Sequence, residues 1–519
     1  MKRLLLAAVA ALAPPAATAQ ERAELRIGVE AGPTSLDPHY ASLITNIAFA
    51  RHVFQPLAEQ DNRQVLRPAI ARSWRVVDNT TWELELDPNA RFSDGRPVAA
   101  EDIAFTIARA GDVPNSPSSF RYATRPIAAV EAVGPHTIRI RTNGPFPLLL
   151  NQLALVMIVP KREGVTTAAF NDGSAMIGSG PYRLVSWQPG QPVRYARNDA
   201  FAGTPPAFAT VEFRPIANAG ARVAALQAGD VDLIEVVPPD QFQRLKADSR
   251  FATAESPSNR LIFLTLDSGR EESPHVRAPE GTPLRNPLRD ARVRRALSIA
   301  INREALVSRI MQGQAVAAGD LGPAGYFGAS PDLTPPAFDL EGARRLLAEA
   351  GYPRGFAVQV NGPNDRYVND ERVVQAIAQM WTRAGLQANV EVKPRGVWLS
   401  EAAQLRYSVN LAGFSPNPEV LGMLETQIHS WNTTLGLGTA NRGRFGNAEI
   451  DALIQRARTT MDDAERERLT RQAARRALRD ETALIPLYFQ VNTWAMRRGM
   501  TYEARTDEMT LAASARRAD

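Results

Sequence analysis

The sequence predicts a mixed α/β fold, and its organisation favours lobes that face a cleft. Two observations predict this fold class. The first third of the chain carries short segments in which apolar and polar residues alternate, as they do in half-buried strands. The second half carries apolar residues at helical spacing. With 519 residues, 44% of them hydrophobic, the chain is long enough for several domains with sizeable cores.

A secretory signal peptide is predicted at residues 1–19. Lys2 and Arg3 precede an apolar run at residues 4–12 that is too short to span a bilayer. Ala-Thr-Ala at residues 17–19 then supplies the small-residue pattern of a cleavage site. Because no later stretch holds 18 consecutive apolar residues, we expect an exported, soluble protein.

Strands are predicted first along the chain. Residues 25–29, 82–86 and 137–141 alternate with a period of two, which predicts three half-buried strands. Between the last two, Ser-Asp-Gly at residues 93–95 predicts a turn, and residues 101–110 predict a short helix. We therefore expect a strand-rich region in the first third of the chain.

Helices dominate the predicted second half. Residues 293–301 place apolar side chains on one face of a helix. Asn302 follows as the expected N-cap of a second helix that ends near Gly313. Asp462 resembles the first residue of a capping box that opens a helix through Arg479. Clusters of proline and glycine mark loops or boundaries at residues 203–206, 274–287 and 322–336.

The composition argues against many enzyme classes. Without cysteine the chain has no disulfide, thiolate nucleophile or iron–sulfur cluster, and five histidines leave little material for a metal site. No G-x-S-x-G elbow, H-E-x-x-H pair, Walker A loop or G-x-G-x-x-G turn occurs. The net charge of +5 comes from arginines interleaved with acidic residues, so we expect no nucleic-acid partner. We also expect no metal, cofactor or catalytic residue.

Three features that could carry chemistry have structural explanations. Gly-Ser-Gly-Pro at residues 178–181 is glycine-rich, but its proline removes a backbone donor that a phosphate cradle would use. A tight turn or a domain crossing is the expected role. His39 and His429 both lack a helical i+4 partner, so we interpret them as structural or surface histidines.

A series of short motifs runs through the mature chain in a fixed order. They lie at residues 68–74 (Pro-Ala-Ile-Ala-Arg-Ser-Trp), 81–84, 92–95, 100–103, 178–187, 197–198, 226–232, 293–297, 300–303, 343–353 and 485–487. In order and spacing they resemble the family-5 extracellular solute-binding proteins of ABC importers, the group that contains dipeptide-, oligopeptide- and nickel-binding proteins. The resemblance covers nearly all of the mature chain.

The resemblance implies a periplasmic-binding-protein-like fold of type II, in its large cluster C form. The first lobe would be discontinuous and comprise residues 21–58, 178–265 and 484–519. A strand-rich subdomain would be inserted at residues 59–177, and the ligand-gripping second lobe would span residues 266–483. Two crossings between the lobes would form a hinge that closes over the ligand.

The implied function is that of a binding protein and not of an enzyme. It would capture a small peptide or peptide-like solute in the Gram-negative periplasm, as a monomer, and deliver it to an ABC permease in the inner membrane. The missing cysteine also removes the lipidated residue that tethers many relatives, so we expect the protein to diffuse freely. An exported hydrolase is a weaker hypothesis, because the catalytic motifs are absent.

The cargo is the point on which the sequence departs from the family pattern. In peptide-binding members, a Gly-Trp-x-x-Asp-like segment supplies a carboxylate for the ammonium group of the peptide. The matching stretch, residues 413–417, reads Gly-Phe-Ser-Pro-Asn, so Asn417 stands where the aspartate would be. An amide cannot offset a buried ammonium charge. The alternatives are a charge supplied by Glu419, or a cargo that is an opine, a sugar derivative or a metal chelate.

The remaining candidate contacts also follow from the resemblance. Arg366 is a candidate clamp for an anion, or else a structural partner of Asp365, Asp370 or Glu371. Trp398 and Trp431 would either stack on a ligand or pack in a core. The predicted ligand-binding residues are Ser35, Tyr40, Asn364, Arg366, Tyr367, Trp398, Phe414, Ser415, Asn417, Trp431 and Asn432.

Overall fold

The structure is a computed structural model that describes residues 24–415 and 419–518, so the predicted signal peptide and Asn417 lie outside the described residues. Its strands are β1 Glu24–Val29, β2 Ala58–Gln60, β3 Leu66–Pro68, β4 Ala71–Asp78, β5 Thr81–Leu86, β6 Ile127–Ala132, β7 Thr137–Thr142, β8 Tyr182–Ser186, β9 Val193–Arg197, β10 Thr210–Pro215, β11 Leu233–Glu235, β12 Phe251–Leu266, β13 Val276–Arg277, β14 Ala315–Ala317, β15 Ala357–Pro363, β16 Gln387–Lys393, β17 Val409–Phe414, β18 Leu484–Arg497, β19 Met500–Tyr502 and β20 Ala515–Arg517.

Helices fill most of the connections between these strands. They are α1 Ile44–Val53, α2 Ala100–Ala110, α3 Arg121–Thr124, α4 Leu149–Leu153, α5 Thr167–Asn171, α6 Ala219–Ala228, α7 Pro239–Ala247, α8 Ala291–Ile299, α9 Arg303–Ala305, α10 Leu340–Glu349, α11 Asp370–Arg383, α12 Arg395–Ala403, α13 Val420–Met423, α14 Ala448–Thr459 and α15 Asp463–Arg475. Short π-helical segments follow α9, α13 and α15, at Leu306–Ile310, Leu424–Ile428 and Arg476–Asp480.

A 12-stranded sheet runs through the molecule, and two long antiparallel strands lie at its centre. Its order is β13-β15-β17-β12-β18-β11-β1-β10-β9-β8, with β14 paired to β18 and β16 paired to β15. We call β1 and β8–β11 the amino-terminal half of the sheet, and β13 and β15–β17 its carboxy-terminal half. The two halves are joined through the crossing strands β12 and β18.

The composition of the crossing strands explains their position. The last six residues of β12, Leu-Ile-Phe-Leu-Thr-Leu, are all buried, as expected for a strand covered on both faces. β18 contributes Trp494 to the core beside the amino-terminal half and Ile485 to the core beside the carboxy-terminal half. Pro486 lacks a backbone donor and pairs with Phe263, next to the register shift between Ile262 and Phe263 that interrupts the ladder.

A second sheet, ordered β4-β5-β7-β6, contains two of the predicted strands. In β5 and β7 the apolar residues Leu84, Ile138 and Ile140 are buried, while Glu83 and Arg139 on the other face form an ion pair at 2.8 Å. Alternation therefore predicts these strands correctly. The apolar residues of this sheet share one continuous core with β1, α1 and β10. The proposed limits of the inserted subdomain, residues 59–177, stay a prediction.

The predicted helix starts are confirmed. The carboxylate of Asp462 accepts a hydrogen bond from the Glu465 backbone amide at 2.8 Å, and α15 begins there. Asn302 caps α9 by accepting from the Ala305 amide at 2.8 Å. Both helices finish in a π-helical segment, a change of winding that apolar periodicity does not predict.

The glycines of the Gly-Ser-Gly-Pro motif allow a close approach of two backbones. The Gly180 amide donates to the Val53 carbonyl at 2.8 Å, at the end of α1. A Cβ atom on Gly178 would lie 2.1 Å from the Val53 carbonyl oxygen, a distance that no side chain tolerates. Packing of this segment against α1 thus explains the motif better than a turn does.

Within the described part of the chain, no helix is both long enough and apolar enough to cross a membrane.

Candidate functional site

A cavity of about 230 Å³ lies beside the crossing strands and is lined from both halves of the sheet. Larger depressions exist on α2 and β6, near α1, and between α9 and α11, but none of them is lined by both of the loops that follow β11 and β15. Strands β1 and β11 are parallel, and both end at this cavity with Glu30 and Glu235; β15 ends there from the other side. Ligands of open α/β sheets bind at such carboxyl ends of strands.

Arg366 lies on the carboxy-terminal side of the cavity, in the loop between β15 and α11. Its guanidinium lies over the ring of Tyr367, 5.1 Å from the centroid. Burial and the neighbouring Arg260 charge lower the pKa of Arg366, although an arginine stays protonated at neutral pH. The described residues offer it no carboxylate within ion-pair distance.

The three acidic residues that could pair with Arg366 are otherwise engaged or point elsewhere. Asp370 accepts from the backbone amides of Arg366 and Tyr367, both at 2.9 Å. Asp365 accepts from the Arg395 amide at 2.6 Å, at the start of α12. Glu371 accepts from the Gln375 side chain at 3.0 Å. The guanidinium of Arg366 is therefore left for an external anion.

Tyr367 holds this loop against β17. Its hydroxyl accepts from the Gly413 amide at 2.9 Å and donates to the Gly413 carbonyl at 3.2 Å. Its ring meets that of Trp398 edge-on, with the centroids 6.3 Å apart. Tyr367 is a positioning residue as well as part of the cavity wall.

A second arginine of the cavity, Arg260, is neutralised. It forms a two-pronged ion pair with Glu508, with distances of 2.7 and 2.6 Å. Ser258 donates to the same carboxylate at 3.1 Å. Burial opposes ionisation of Glu508, but the Arg260 charge and these hydrogen bonds outweigh it, so the pKa of Glu508 lies below its usual value.

The amino-terminal side of the cavity carries Glu235, the last residue of β11. Its carboxylate accepts from the Glu30 amide at 2.9 Å and from the Thr510 hydroxyl. Burial raises the pKa of Glu235, and these hydrogen bonds only partly oppose it. The neighbouring Arg222 donates from its guanidinium to backbone carbonyls, including those of Glu235 and Val236 at 3.2 and 3.0 Å.

Val236 has a strained backbone beside Glu235. Its φ of 50° lies in the left-handed region, which β-branched residues rarely adopt. Hydrogen bonds from Arg222 and between Val237 and Thr493 hold the segment on both sides. The Val236 side chain is 40% exposed and lines the cavity.

Of the predicted site residues, the structure brings Arg366 and Tyr367 to this cavity. Asn364 is two residues away but exposed, and it is not part of the lining. Ser35 is buried and donates to Asn171 at 2.9 Å, while Tyr40 accepts through its carbonyl from Ser116 at 2.7 Å. Ser35 and Tyr40 do not line the cavity.

The other aromatic candidates divide into buried and exposed ones. Trp398 is 5% exposed and donates to the Asn410 side chain at 2.6 Å, which favours the packing role over ligand stacking. Trp431 is 44% exposed, with the Arg444 guanidinium 3.6 Å from its ring centroid. Phe414 pairs with Leu261 of β12 and packs on a core.

The polar candidates Ser415 and Asn432 do not line the cavity. Ser415 directly precedes the undescribed residues 416–418. Asn432 closes a turn by accepting from the Leu435 amide at 2.9 Å. Glu419, the alternative source of negative charge, is buried in an ion pair with Arg466 at 2.8 Å. It does not line the cavity, and its charge is already balanced.

Sequence reasoning missed Glu235, Val236, Arg260 and Glu508. Glu235 could have been found from the sequence, because it ends a buried strand and charged residues are seldom buried without a partner. The Arg260–Glu508 pair had no such signal, since 248 residues separate its members. Among residues 24–415 and 419–518, no group of three histidine, aspartate or glutamate side chains is arranged to hold a metal ion.

Comparison with known proteins places the chain in a family. A glutathione-binding protein, GsiB, of Escherichia coli O1:K1 is 27% identical over 482 residues, which cover 89% of this chain and 88% of that protein. The structure of CtaP, an ABC transporter substrate-binding protein from Listeria monocytogenes, superimposes with a TM-score of 0.82 at 21% identity and covers 96% of this chain and 99% of its own.

A second solved structure gives the same fold. NikZ from Campylobacter jejuni, in complex with Ni(L-His), superimposes with a TM-score of 0.78 at 20% identity, covering 96% of this chain and all of its own. The family model of the bacterial extracellular solute-binding proteins, family 5, matches residues 65–433, more than half of the sequence. The chain therefore belongs to family 5 of the bacterial extracellular solute-binding proteins.

Proposed function

We propose that this protein is the periplasmic component of an ABC importer and that it captures a small peptide or peptide-like solute. The observation that carries the proposal is the cavity beside the crossing strands, which Arg366 lines without a carboxylate partner among the described residues. A half-buried guanidinium in such a place matches a ligand carboxylate, which it can bind through two parallel hydrogen bonds.

The chemistry of the cavity supports a peptide-like cargo. Amide side chains at Gln314, Gln490 and Asn492 line it and can donate to or accept from peptide groups. Its volume of about 230 Å³ suits a small solute. The similarity to glutathione-binding proteins over nearly the whole chain points to the same class of cargo.

Capture would proceed by closure of the two lobes about β12 and β18. Arg366 belongs to the predicted second lobe and Glu235 to the first, so a solute that contacts both is bound best in the closed form. The solute shifts the equilibrium towards closure by the free energy of its additional contacts. The permease would then distinguish loaded from empty protein by shape, and the binding protein would carry out no reaction.

A second candidate function keeps the fold and changes the cargo to an opine, a sugar derivative or a metal chelate. The replacement of the expected aspartate by Asn417 favours it. Glu419 does not restore the missing charge, because Arg466 already neutralises it.

Native mass spectrometry and calorimetry on the mature protein test the two cargo classes. Protein purified without denaturation is expected to retain a peptide mass. Once emptied, it is expected to bind glutathione or trialanine, and not octopine or nickel–histidine. A retained non-peptide mass, together with no heat from either peptide, would reject the peptide assignment in favour of the second candidate.

A further inference from the structure

Four carboxylates line the cavity, and two of them, Glu30 and Asp365, are exposed. Glu508 is neutralised by Arg260, and Asp365 is used by the amide at the start of α12. Glu235 has two hydrogen-bond donors but no ion-pair partner among the described residues. Glu235 from the amino-terminal half and Arg366 from the carboxy-terminal half therefore line the same cavity, and neither has an ion-pair partner in the part of the chain that the structure describes.

The carboxylate of Glu235 is held in place before any ligand arrives. The Trp494 indole donates to the Thr510 hydroxyl oxygen at 2.9 Å. Because an indole can only donate, the Thr510 proton is directed to Glu235, with which Thr510 forms a short hydrogen bond. The Glu30 amide fixes the second carboxylate oxygen at 2.9 Å. Two further lone-pair positions are left for a ligand.

The backbone around Glu235 is fixed as well. Glu235 pairs with Trp494 across β11 and β18, and Arg222 donates to the backbone carbonyls of Glu235 and Val236. The strained φ of Val236 persists because these contacts hold the backbone in place. A carboxylate mounted so rigidly loses little freedom when it binds a cation.

We propose, on the basis of the function proposed above, that Glu235 binds the ammonium group of the cargo while Arg366 binds its carboxylate. The carboxylate absent at position 417 would thus be supplied from the opposite side of the cavity. The cargo class is a zwitterion whose two charged ends bridge the halves of the sheet. A solute with only one of these charges contacts one half strongly and favours closure less.

The experiment compares ligands that differ only in the ammonium group. Calorimetry on the mature wild type is expected to show that N-acetylglutathione binds roughly 10- to 100-fold more weakly than glutathione, the range of one charge-assisted hydrogen bond. Trialanine and N-acetyltrialanine make the same comparison. Because acetylation leaves the protein unchanged, this result does not depend on the folding of a variant.

Variants then assign the effect to the residue. Glu235→Gln is expected to bind glutathione as weakly as the wild type binds N-acetylglutathione, and to discriminate little between the two ligands. Glu163→Gln, which changes an exposed glutamate, is the matched control and should behave as wild type. A thermal melt of each variant checks its folding.

The possible failures are distinguishable. Equal affinity of the wild type for free and acetylated peptides would overturn the role of Glu235 and leave peptide binding intact. An equal loss of both ligands in Glu235→Gln would show a structural role and also overturn it. If the wild type bound neither glutathione nor trialanine, the proposed function itself would fail, and the inference with it.

Discussion

The Tyr367 hydroxyl and the Gly413 peptide group form two hydrogen bonds, at 2.9 and 3.2 Å, which tie the loop that carries Arg366 to the end of β17. Tyr367→Phe removes both and leaves a largely buried peptide group without these partners. We expect a loss of about 1–3 kcal/mol in the free energy of unfolding, measured by urea titration. Tyr122→Phe, at a 44% exposed side chain, should cost much less. A Tyr367→Phe protein as stable as wild type would show that these two hydrogen bonds do not contribute to stability.

Replacing Arg366 should affect binding much more than stability. Arg366→Met keeps the apolar stem and removes the charge, so glutathione is expected to bind roughly tenfold more weakly or worse in calorimetry. Arg372→Met, at an exposed position of α11, is the control for a general loss of positive charge. If both variants bound glutathione with the wild-type affinity, Arg366 would not be an anion contact.

Val236 should reveal a conflict between stability and binding. Asparagine adopts the left-handed region more readily than valine, so Val236→Asn is expected to raise the free energy of unfolding by about 1 kcal/mol. The same change removes an apolar surface from the cavity and should alter the affinity for ligand. Val185→Asn, at a 60% exposed strand position, should bring no such gain in stability. Destabilisation by Val236→Asn would argue against backbone strain at this residue.

Two buried histidines should make stability depend on pH. Burial lowers the pKa of His39 and of His52 to about 4, against an unfolded value of 6.5. Between these values the unfolded chain binds more protons, so stability falls as the pH falls from 7 towards 4. For each histidine the loss between pH 7 and pH 5 is about 2 kcal/mol.

The contribution of His52 can be isolated by mutation. His52 stacks on Tyr195 and accepts from the Ala512 amide at 3.1 Å, and this hydrogen bond requires the neutral ring. His52→Gln should therefore lose less stability between pH 7 and pH 5 than the wild type does in urea titrations. His136→Gln, at an exposed histidine, should retain the wild-type dependence. An unchanged slope in His52→Gln would contradict the assignment.

Gly178 should tolerate no side chain. A Cβ atom there meets the Val53 carbonyl oxygen at 2.1 Å, so Gly178→Ala must shift the backbone and is expected to cost about 1–3 kcal/mol in thermal or urea unfolding. At Gly144 nothing lies within 4 Å of the corresponding position, and Gly144→Ala should be nearly neutral. Similar stabilities for the two variants would refute the close-approach explanation.

Local patterns predicted the elements whose two faces differ. The alternation in β5 and β7 reports a buried and an exposed side, and Asn302 and Asp462 mark helix starts because their caps are formed within four residues. The role of Trp398 was ambiguous because a tryptophan beside a cleft and a tryptophan within a core have similar neighbours in sequence.

The binding residues were harder to predict because long-range pairing creates them. Arg366 was found only through a resemblance. Whether its charge is neutralised depends on the groups from which the carboxylates of Asp365 and Asp370 accept hydrogen bonds. Glu235 depends on Thr510, 275 residues away, and on a strand partner in β18. No short stretch of the sequence contains both members of these pairs.

The register shift in β12 has a mechanical consequence. Between the pairs Pro257–Val491 and Leu261–Phe489, three residues of β12 face the single residue Gln490. Such a bulge interrupts the ladder and bends the strand locally, and Arg260 emerges from it towards Glu508. If the lobes rotate, the bend concentrates where a cavity residue is anchored. The hinge and part of the binding surface would then consist of the same residues. A substitution there would change both the affinity for ligand and the stiffness of the closing motion.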